Sequence, residues 1–159
     1  DDPDPVGVID GPGGGYRRAM ARNAHRDHLR RVPLFADLGD HELDVVGAAT
    51  TELDLPAGHT LIREGEIAHE MFVVVSGELE VRRADSVVAT IGAGGFAGEM
   101  ALLTRARRDA TVVATTDVSV LHLDGRSFGS VLDEAPQIAV KMLPVVAARV
   151  VANSTHHEH

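Results

Sequence analysis

The segment Gly94–Val112 combines residue types that could hold a small anion. Its glycines let the backbone approach a ligand closely, and a helical turn beginning near Gly98 would present unbonded N–H groups to negative charge. Glu99 would repel a phosphate, but a carboxylate accepts hydrogen bonds and therefore suits the hydroxyl group of a sugar. These residue types indicate a pocket for a ligand that carries both a phosphate and a hydroxylated sugar.

The arginines that follow would supply the charge that balances such a phosphate. A guanidinium presents a planar fork of donors that matches two phosphate oxygens. Arg108 stands at the start of a predicted strand and would be held rigidly, whereas Arg105 and Arg107 fall in a predicted loop. The alternative for the cluster is an ordinary charged surface, and the alternative for Glu99 is a carboxylate stabilised by a helix dipole.

The composition of the chain limits its class. Its 159 residues can form one domain with a core, and the absence of cysteine excludes disulfides, thiolate catalysis and zinc sites with cysteine ligands. A formal net charge of -9 argues against binding of duplex DNA. The sequence has no apolar run long enough to cross a bilayer and an acidic N-terminus where a signal peptide would be basic, so we expect a cytoplasmic protein.

Short segments rich in valine, threonine and isoleucine occupy the middle of the chain, from Thr51 to Asp124. Several of them alternate apolar with polar residues, and turn signals such as Pro56-Ala57-Gly58 and Ser76-Gly77-Glu78 separate them. About eight strands of this kind are typical of an antiparallel sandwich or jelly roll. We therefore predict a mainly β fold.

Helical patterns precede the strands. Residues 1–21 are predicted to be a flexible N-terminal segment, because proline and glycine are frequent at the start of the chain. The basic segment Tyr16–Arg31 has a helical composition, and Pro33 should end that helix. Asp40 is the candidate N-cap of a second, short helix.

Helical patterns also follow the strands. Asp124 is a candidate N-cap for one helix, and Pro136 is suited to the start of the next. Pro144 lies inside this last helix, so we expect a kink near residue 140. The last helix is apolar around too much of its circumference for a surface helix, so a ligand, another chain or both should cover its second side.

Two stretches of the sequence resemble the cyclic nucleotide-binding domain. Ile62–Gly77 is similar to the family's hairpin signature, in which a G-E turn precedes an apolar strand and a second glycine. The family's phosphate-binding cassette is written G-E-[LIM]-A-L-L followed by P-R-x-A-T, and here it is Gly98-Glu99-Met100-Ala101-Leu102-Leu103 followed by Arg107-Arg108-Asp109-Ala110-Thr111. The resemblance predicts a domain over residues 22–153 and a tail over residues 154–159.

The resemblance implies a mainly β fold with flanking helices: a double-stranded β-helix, or jelly-roll β-roll, with N-terminal helices and C-terminal lid helices. It implies that Glu99 accepts a hydrogen bond from the ribose 2′-hydroxyl and that Arg108 pairs with the cyclic phosphate. Thr111 would lie near the phosphate and the edge of the base. Backbone N–H groups would complete the cradle at Gly98, Met100, Ala101 and Ala110.

The resemblance also implies how the base is held. It would rest on apolar strand residues such as Val73, under a lid formed by the last helix. Candidate lid residues are Met142, Leu143 and Val146.

Three residues in and beside the cassette depart from the family pattern, and one of them is Ala97, which replaces a residue that is often bulky. Arg107 replaces the usual proline and adds positive charge. Asp109 replaces a small or hydroxylated residue, so it could repel the phosphate, at a cost of up to ~4 kcal/mol for a contact at 4 Å, or pair with Arg107 instead. Because preference for cGMP often involves a hydroxyl at the position of Asp109, we expect cAMP as the ligand, with cGMP as the alternative.

We do not expect an enzyme, although an enzyme of the cupin type, whose jelly-roll fold binds a metal ion, is a third alternative. The histidines of this chain, among them His59, His69 and His122, are scattered, so no metal site is predicted within the barrel. Ser127 and Ser130 lack the histidine and aspartate neighbours of a hydrolytic triad. No cofactor is expected beyond the nucleotide ligand.

These observations predict a regulatory protein of bacterial type that senses a cyclic nucleotide, with no effector domain in this chain. Binding would reposition the C-terminal helix. The alternative is a ligand-free scaffold that acts through protein–protein contacts or dimerisation. Expected partners are the nucleotide, a protein still to be identified and a second copy joined through the C-terminal helix, but not DNA.

Overall fold

A computed structural model describes residues 25–157, with the side chains of residues 25–148 and of Val151. The predicted flexible segment, residues 1–21, and the last two residues of the predicted tail lie outside this range. The described chain begins in helix, over residues 25–30, and continues through a 3-10 turn at Pro33–Phe35 into helix α1, Asp40–Ala48.

Eight strands follow and form two antiparallel four-stranded sheets. One sheet has the order β1-β8-β3-β6 and the other the order β2-β7-β4-β5. The strands are β1 Thr51–Leu55, β2 Thr60–Ile62, β3 Glu70–Ser76, β4 Leu79–Arg83, β5 Ser86–Ile91, β6 Phe96–Ala97, β7 Thr111–Ala114 and β8 Val118–Asp124. The predicted jelly-roll architecture with flanking helices is confirmed.

Strand β3 divides the two parts of the core. Its side chains alternate between the two faces, as in any strand. Met71 and Val73 pack with residues of the helices, whereas Phe72 and Val74 pack inside the roll between the two sheets. All four are buried. This strand therefore supports the helices on one face and fills the roll on the other.

The helix starts are only partly as predicted. Asp124 caps helix α2, Gly125–Glu134, by accepting a hydrogen bond from the N–H of Ser127 at 2.7 Å. The predicted cap at Asp40 is wrong, because Asp40 is the first residue of α1 and Gly39 is its N-cap.

The N–H of Gly39 is satisfied from further along α1, by a side-chain oxygen of Glu42 at 2.8 Å. A glutamate at this third helical position reaches back to the N–H of the N-cap residue, which is one half of a capping box.

Helix α3, Gln137–His157, begins directly after Pro136 and remains helical through Pro144 and into the predicted tail. Ile138 and Met142 bury one side of it in the helix-facing core. Its opposite side leaves Val140 and Leu143 exposed. Within the described part of the chain, no helix is long and apolar enough to span a membrane.

An ion pair fixes α3 to α1. Lys141 Nζ donates a hydrogen bond to Glu42 Oε1 at 2.7 Å, and Glu42 is 7% exposed. The Lys141 hydrogen bond is the main reason that the pKa of Glu42 is lowered, and the Gly39 N–H adds to it while burial opposes it. Because the pKa is lower in the folded chain, ionised Glu42 stabilises the fold above its ordinary pKa, and this contribution is lost as the pH falls through the folded pKa.

We expect Glu42→Gln to lower the free energy of unfolding at pH 7 by about 1 kcal/mol, since the hydrogen bond is charge-assisted but Lys141 stays partly in water. The variant should also lose less stability than the wild type between pH 5 and pH 3. Urea unfolding across this range measures both effects, with Glu134→Gln on the exposed end of α2 as the control. Equal pH dependence in wild type and Glu42→Gln would contradict the ion-pair assignment.

Candidate ligand-binding site

A cavity of about 250 Å³ opens at one end of the roll, just below the usual size of small-molecule sites, about 300–1,000 Å³. Most of its wall is apolar and comes from strands of both sheets. Its polar end is formed by residues of the cassette. The lining residues are Ile62, Val81, Ile91, Phe96, Ala97 and Val112 on the apolar wall and Gly98, Arg108, Asp109 and Ala110 at the polar end.

Gly98 makes the bend that brings the cassette to the cavity. It lies directly after β6 with a φ of 81°, in the left-handed region, and it caps the 3-10 turn Glu99–Leu102. A Cβ atom at this position would lie 2.8 Å from Arg108 Nη1 and 2.9 Å from the carbonyl oxygen of Glu70. Glycine is therefore required here for its backbone conformation and for the close approach of the guanidinium.

Arg108 lies at the junction of the cassette and the roll. Its Nη2 donates to the Glu70 carbonyl oxygen at 2.8 Å, while its Nε is buried and finds no acceptor among the described residues. Burial lowers the pKa of Arg108, and the negative charge of Glu70 opposes that shift. A buried donor without an acceptor costs roughly 1–3 kcal/mol, so an anionic oxygen at this end of the cavity would be stabilising.

Glu70 is a site residue that the motif alone does not identify. Its backbone carbonyl fixes Arg108, and its side-chain Oε1 lies 2.6 Å from His122 Nε2 on the neighbouring strand β8. This hydrogen bond is the main cause that lowers the pKa of Glu70, and Arg108 contributes to the same direction. Glu70 shares a face of β3 with Phe72 and Val74, which lie inside the roll, and no pattern in the sequence marks this face because β3 is apolar on both sides.

Glu99 begins the 3-10 turn and is 4% exposed. It follows Gly98 directly but is not among the residues that line the cavity. Met100 is half-buried and Ala101 is buried within the same turn. The predicted contact of Glu99 with a ribose hydroxyl therefore stays a prediction.

The end of this turn is joined to helix α2 through His69. His69 Nε2 lies 3.0 Å from the Leu102 carbonyl oxygen, and the His69 carbonyl accepts the N–H of Gly125 at 2.7 Å. A Cβ atom on Gly125 would overlap the imidazole at 2.0 Å. The ring thus occupies the space between the cassette turn and the first residue of α2.

The charged residues on either side of Arg108 differ in position. Arg107 is exposed, and its Nη1 donates to the Gly65 carbonyl at 2.8 Å outside the cavity lining. Asp109 lines the cavity, and its carboxylate pairs with Arg83 at 3.6 Å. The suggested pairing of Asp109 with Arg107 is wrong, because Arg107 is drawn to the Gly65 turn and Arg83 extends from the adjacent strand β4.

Three predicted contact residues lie away from the cavity. Val73 is 1% exposed in the helix-facing core, so the prediction that it supports the base is wrong: it belongs to the face of β3 that points away from the roll interior. Met142 is also buried in that core. It covers no part of the cavity in this arrangement, and its role as a lid residue stays a prediction. Thr111 Oγ1 accepts the N–H of Glu64 at 2.9 Å and does not line the cavity.

In the described residues, no group of three or more histidine, aspartate or glutamate side chains could hold a metal ion. The polar groups that the structure places at the polar end of the cavity belong to Gly98, Arg108, Asp109 and Ala110. Among them, the Arg108 guanidinium carries the positive charge.

We expect Gly98→Ala to reduce the free energy of unfolding by roughly 1–3 kcal/mol more than Gly58→Ala. Both glycines have positive φ, 81° and 93°, so both variants carry the same backbone strain. Only Gly98 has atoms where a Cβ would stand, since Gly58 has nothing within 4 Å. Denaturant unfolding of both variants measures the difference. Equal losses would show that the packing of Arg108 on Gly98 does not constrain the bend.

Known proteins share this arrangement of sequence and fold. The chain is 41% identical over 108 residues to a cyclic nucleotide-gated potassium channel of Rhizobium etli. The match covers 68% of this chain and 30% of the channel. It is 39% identical over 118 residues to a cAMP-dependent protein kinase regulatory subunit of Yarrowia lipolytica. That match covers 70% of this chain and 32% of the subunit. The chain therefore spans about a third of the length of these relatives.

A solved structure gives the same result for the fold. The N-terminal domain of a transcriptional regulator from Streptomyces coelicolor superposes with a TM-score of 0.76 at 31% identity, covering 82% of this chain and 94% of that one. The family model for the cyclic nucleotide-binding domain matches residues 52–135, from strand β1 to the end of helix α2. With its eight-stranded roll and its arginine-containing cassette, this chain belongs to the cyclic nucleotide-binding domain family.

Proposed function

We propose that this domain is a regulatory sensor that binds cAMP in the roll and passes the signal through helix α3. The observation that carries the proposal is the Arg108 side chain, whose Nε is buried at the polar end of an apolar cavity and has no acceptor among the described residues. The cyclic phosphate of the nucleotide would provide that acceptor. A cytoplasmic location remains part of the proposal.

The two ends of the cavity suit the two ends of a cyclic nucleotide. The base would contact the apolar wall, which includes Val81, Ile91 and Val112. The phosphate would accept hydrogen bonds from Arg108 and from the backbone beside Gly98, each charge-assisted bond contributing about 1.5–3 kcal/mol. Glu99, one residue further, would accept a hydrogen bond from the ribose 2′-hydroxyl.

The preference for cAMP has two supports. The regulatory subunit from Yarrowia lipolytica, which is 39% identical to this chain, is named as cAMP-dependent. In addition, the carboxylate of Asp109 lines the cavity and offers no hydroxyl donor at the position where binders of cGMP often have one.

Signal transfer would require helix α3 to change its position. Met142 is now buried in the helix-facing core, and Lys141 binds α3 to α1 through Glu42. A lid over the base would need these contacts to be exchanged for contacts with the ligand. The nucleotide can shift α3 only by its difference in affinity for the two positions.

Isothermal titration calorimetry of the chain with cAMP and cGMP tests the binding site. We expect micromolar or tighter binding of cAMP and weaker binding of cGMP. Arg108→Ala should weaken cAMP binding at least about 100-fold, because about two charge-assisted hydrogen bonds are lost. Arg105→Ala is the matched control, since Arg105 is exposed in the same segment but does not line the cavity. Absence of heat with both nucleotides, or equal affinity of Arg108→Ala and wild type, would refute the proposal.

A second function, homodimerisation through α3, is favoured by the exposed side of that helix. Val140 and Leu143 are 64% and 62% exposed, and Val151 is 64% exposed. Together with exposed Ala147 they recur at intervals of three and four residues, which places them along one side of a helix. A second copy of the chain would bury this stripe.

We expect Leu143→Glu to abolish a dimer that the wild-type chain forms, because a charge would be buried in the interface. Sedimentation equilibrium with and without cAMP measures the mass. Ser130→Glu, an exposed position on α2, is the control. A wild-type chain that remains monomeric at high micromolar concentration would exclude the dimer without affecting the nucleotide site.

A further inference from the structure

Arg83 pairs with Asp109 and places a positive charge beside a carboxylate that lines the cavity. Asp109 lines the cavity that would receive an anion, and its side chain is 88% exposed. An unbalanced carboxylate there would oppose the phosphate and cancel part of the attraction from Arg108. Arg83 contacts Asp109 twice: its Nη2 lies 3.6 Å from Oδ2, and its Nε donates to the Asp109 carbonyl oxygen at 3.2 Å.

The fold places Arg83 on this side of the roll. Successive side chains of a strand alternate, so Arg83 shares a face of β4 with Val81, which lines the cavity. Arg82 belongs to the opposite face, where its Nε donates to Glu80 at 2.7 Å. The two neighbouring arginines therefore have different partners.

The turn after Arg83 is itself held in position. Ala84 and Asp85 have φ values of 50° and 73°, which a two-residue hairpin turn of the primed type requires at both central residues. The Ala84 N–H donates to Glu64 Oε1 at 3.1 Å, which ties the end of β4 to the loop after β2. Arg83 thus extends from an anchored strand end toward Asp109.

We propose that Arg83 is a positioning residue of the nucleotide site: it masks the charge of Asp109 and holds that side chain at the wall, so that an anionic ligand can bind beside Arg108. This inference rests on the proposed function. It assigns a role to a residue outside the cassette, and it explains how the cassette can carry a carboxylate at a position where its family usually has a small or hydroxylated residue.

A double-mutant cycle measured by calorimetry with cAMP tests the role of Arg83. We expect Arg83→Ala to weaken binding about threefold to fivefold at low salt, as for the loss of an exposed ion pair. Asp109→Asn should bind at least as tightly as the wild type. In the Asp109→Asn background, Arg83→Ala should change the affinity by less than about twofold, because no carboxylate remains to be masked.

Salt and a neighbouring arginine provide the controls. The effect of Arg83→Ala should nearly vanish at 1 M salt, where charges are screened within about 3 Å. Arg82→Ala should leave the affinity unchanged, since Arg82 pairs with Glu80 on the other face of β4. Thermal melting of each variant checks that it is folded.

The other possible affinities of these variants would each contradict a different part of the proposal. An equal loss of affinity from Arg83→Ala in both backgrounds would mean that Arg83 contacts the ligand directly, and no loss in either would mean that Asp109 needs no masking. Binding by Asp109→Asn but not by the wild type would overturn the masking while leaving the nucleotide site intact. Absence of binding in all variants would overturn the proposed function and the role of Arg83 with it.

Discussion

The close approach of the Arg108 guanidinium to the backbone at Gly98 is the constraint on which the site depends. The guanidinium lies where a side chain at position 98 would begin, and it is held there by the carbonyl oxygen of Glu70. That oxygen belongs to β3, the strand that joins the helix-facing core to the roll interior. The position of one positive charge is thus fixed by a backbone bend and by the strand that separates the two parts of the core.

Much of the site could be predicted from the sequence because its parts are local. Gly98 and Arg108 belong to one short cassette, and the capping of α2 by Asp124 depends on residues three positions apart. In these cases the chain brings the groups together without any knowledge of strand pairing. The error at Asp40 is also local: the helix begins one residue earlier than predicted, with Gly39 as its N-cap and the Gly39 N–H bonded to the side chain of Glu42.

Other parts depend on which strands pair and in which register. Glu70 and His122 are 52 residues apart, and Arg83 and Asp109 are 26 apart, so neither pair is visible as a motif. Val73 was misplaced for a different reason. Strand β3 is buried on both faces, so its run of apolar residues does not indicate which residues face the roll. Which of its side chains face the roll becomes apparent only when the helices pack against the other face.

Glu42 takes part in two structures at once, since it closes the start of α1 and holds α3 through Lys141. If α3 moves away, Glu42 loses the Lys141 hydrogen bond that is the main cause of its lowered pKa, so the pKa of this carboxyl rises toward its ordinary value. By thermodynamic linkage, the resting place of the C-terminal helix then depends on the acidity of its surroundings. Release of α3 would therefore become easier as the pH falls through the folded pKa of Glu42, because the protonated carboxyl no longer forms an ion pair with Lys141.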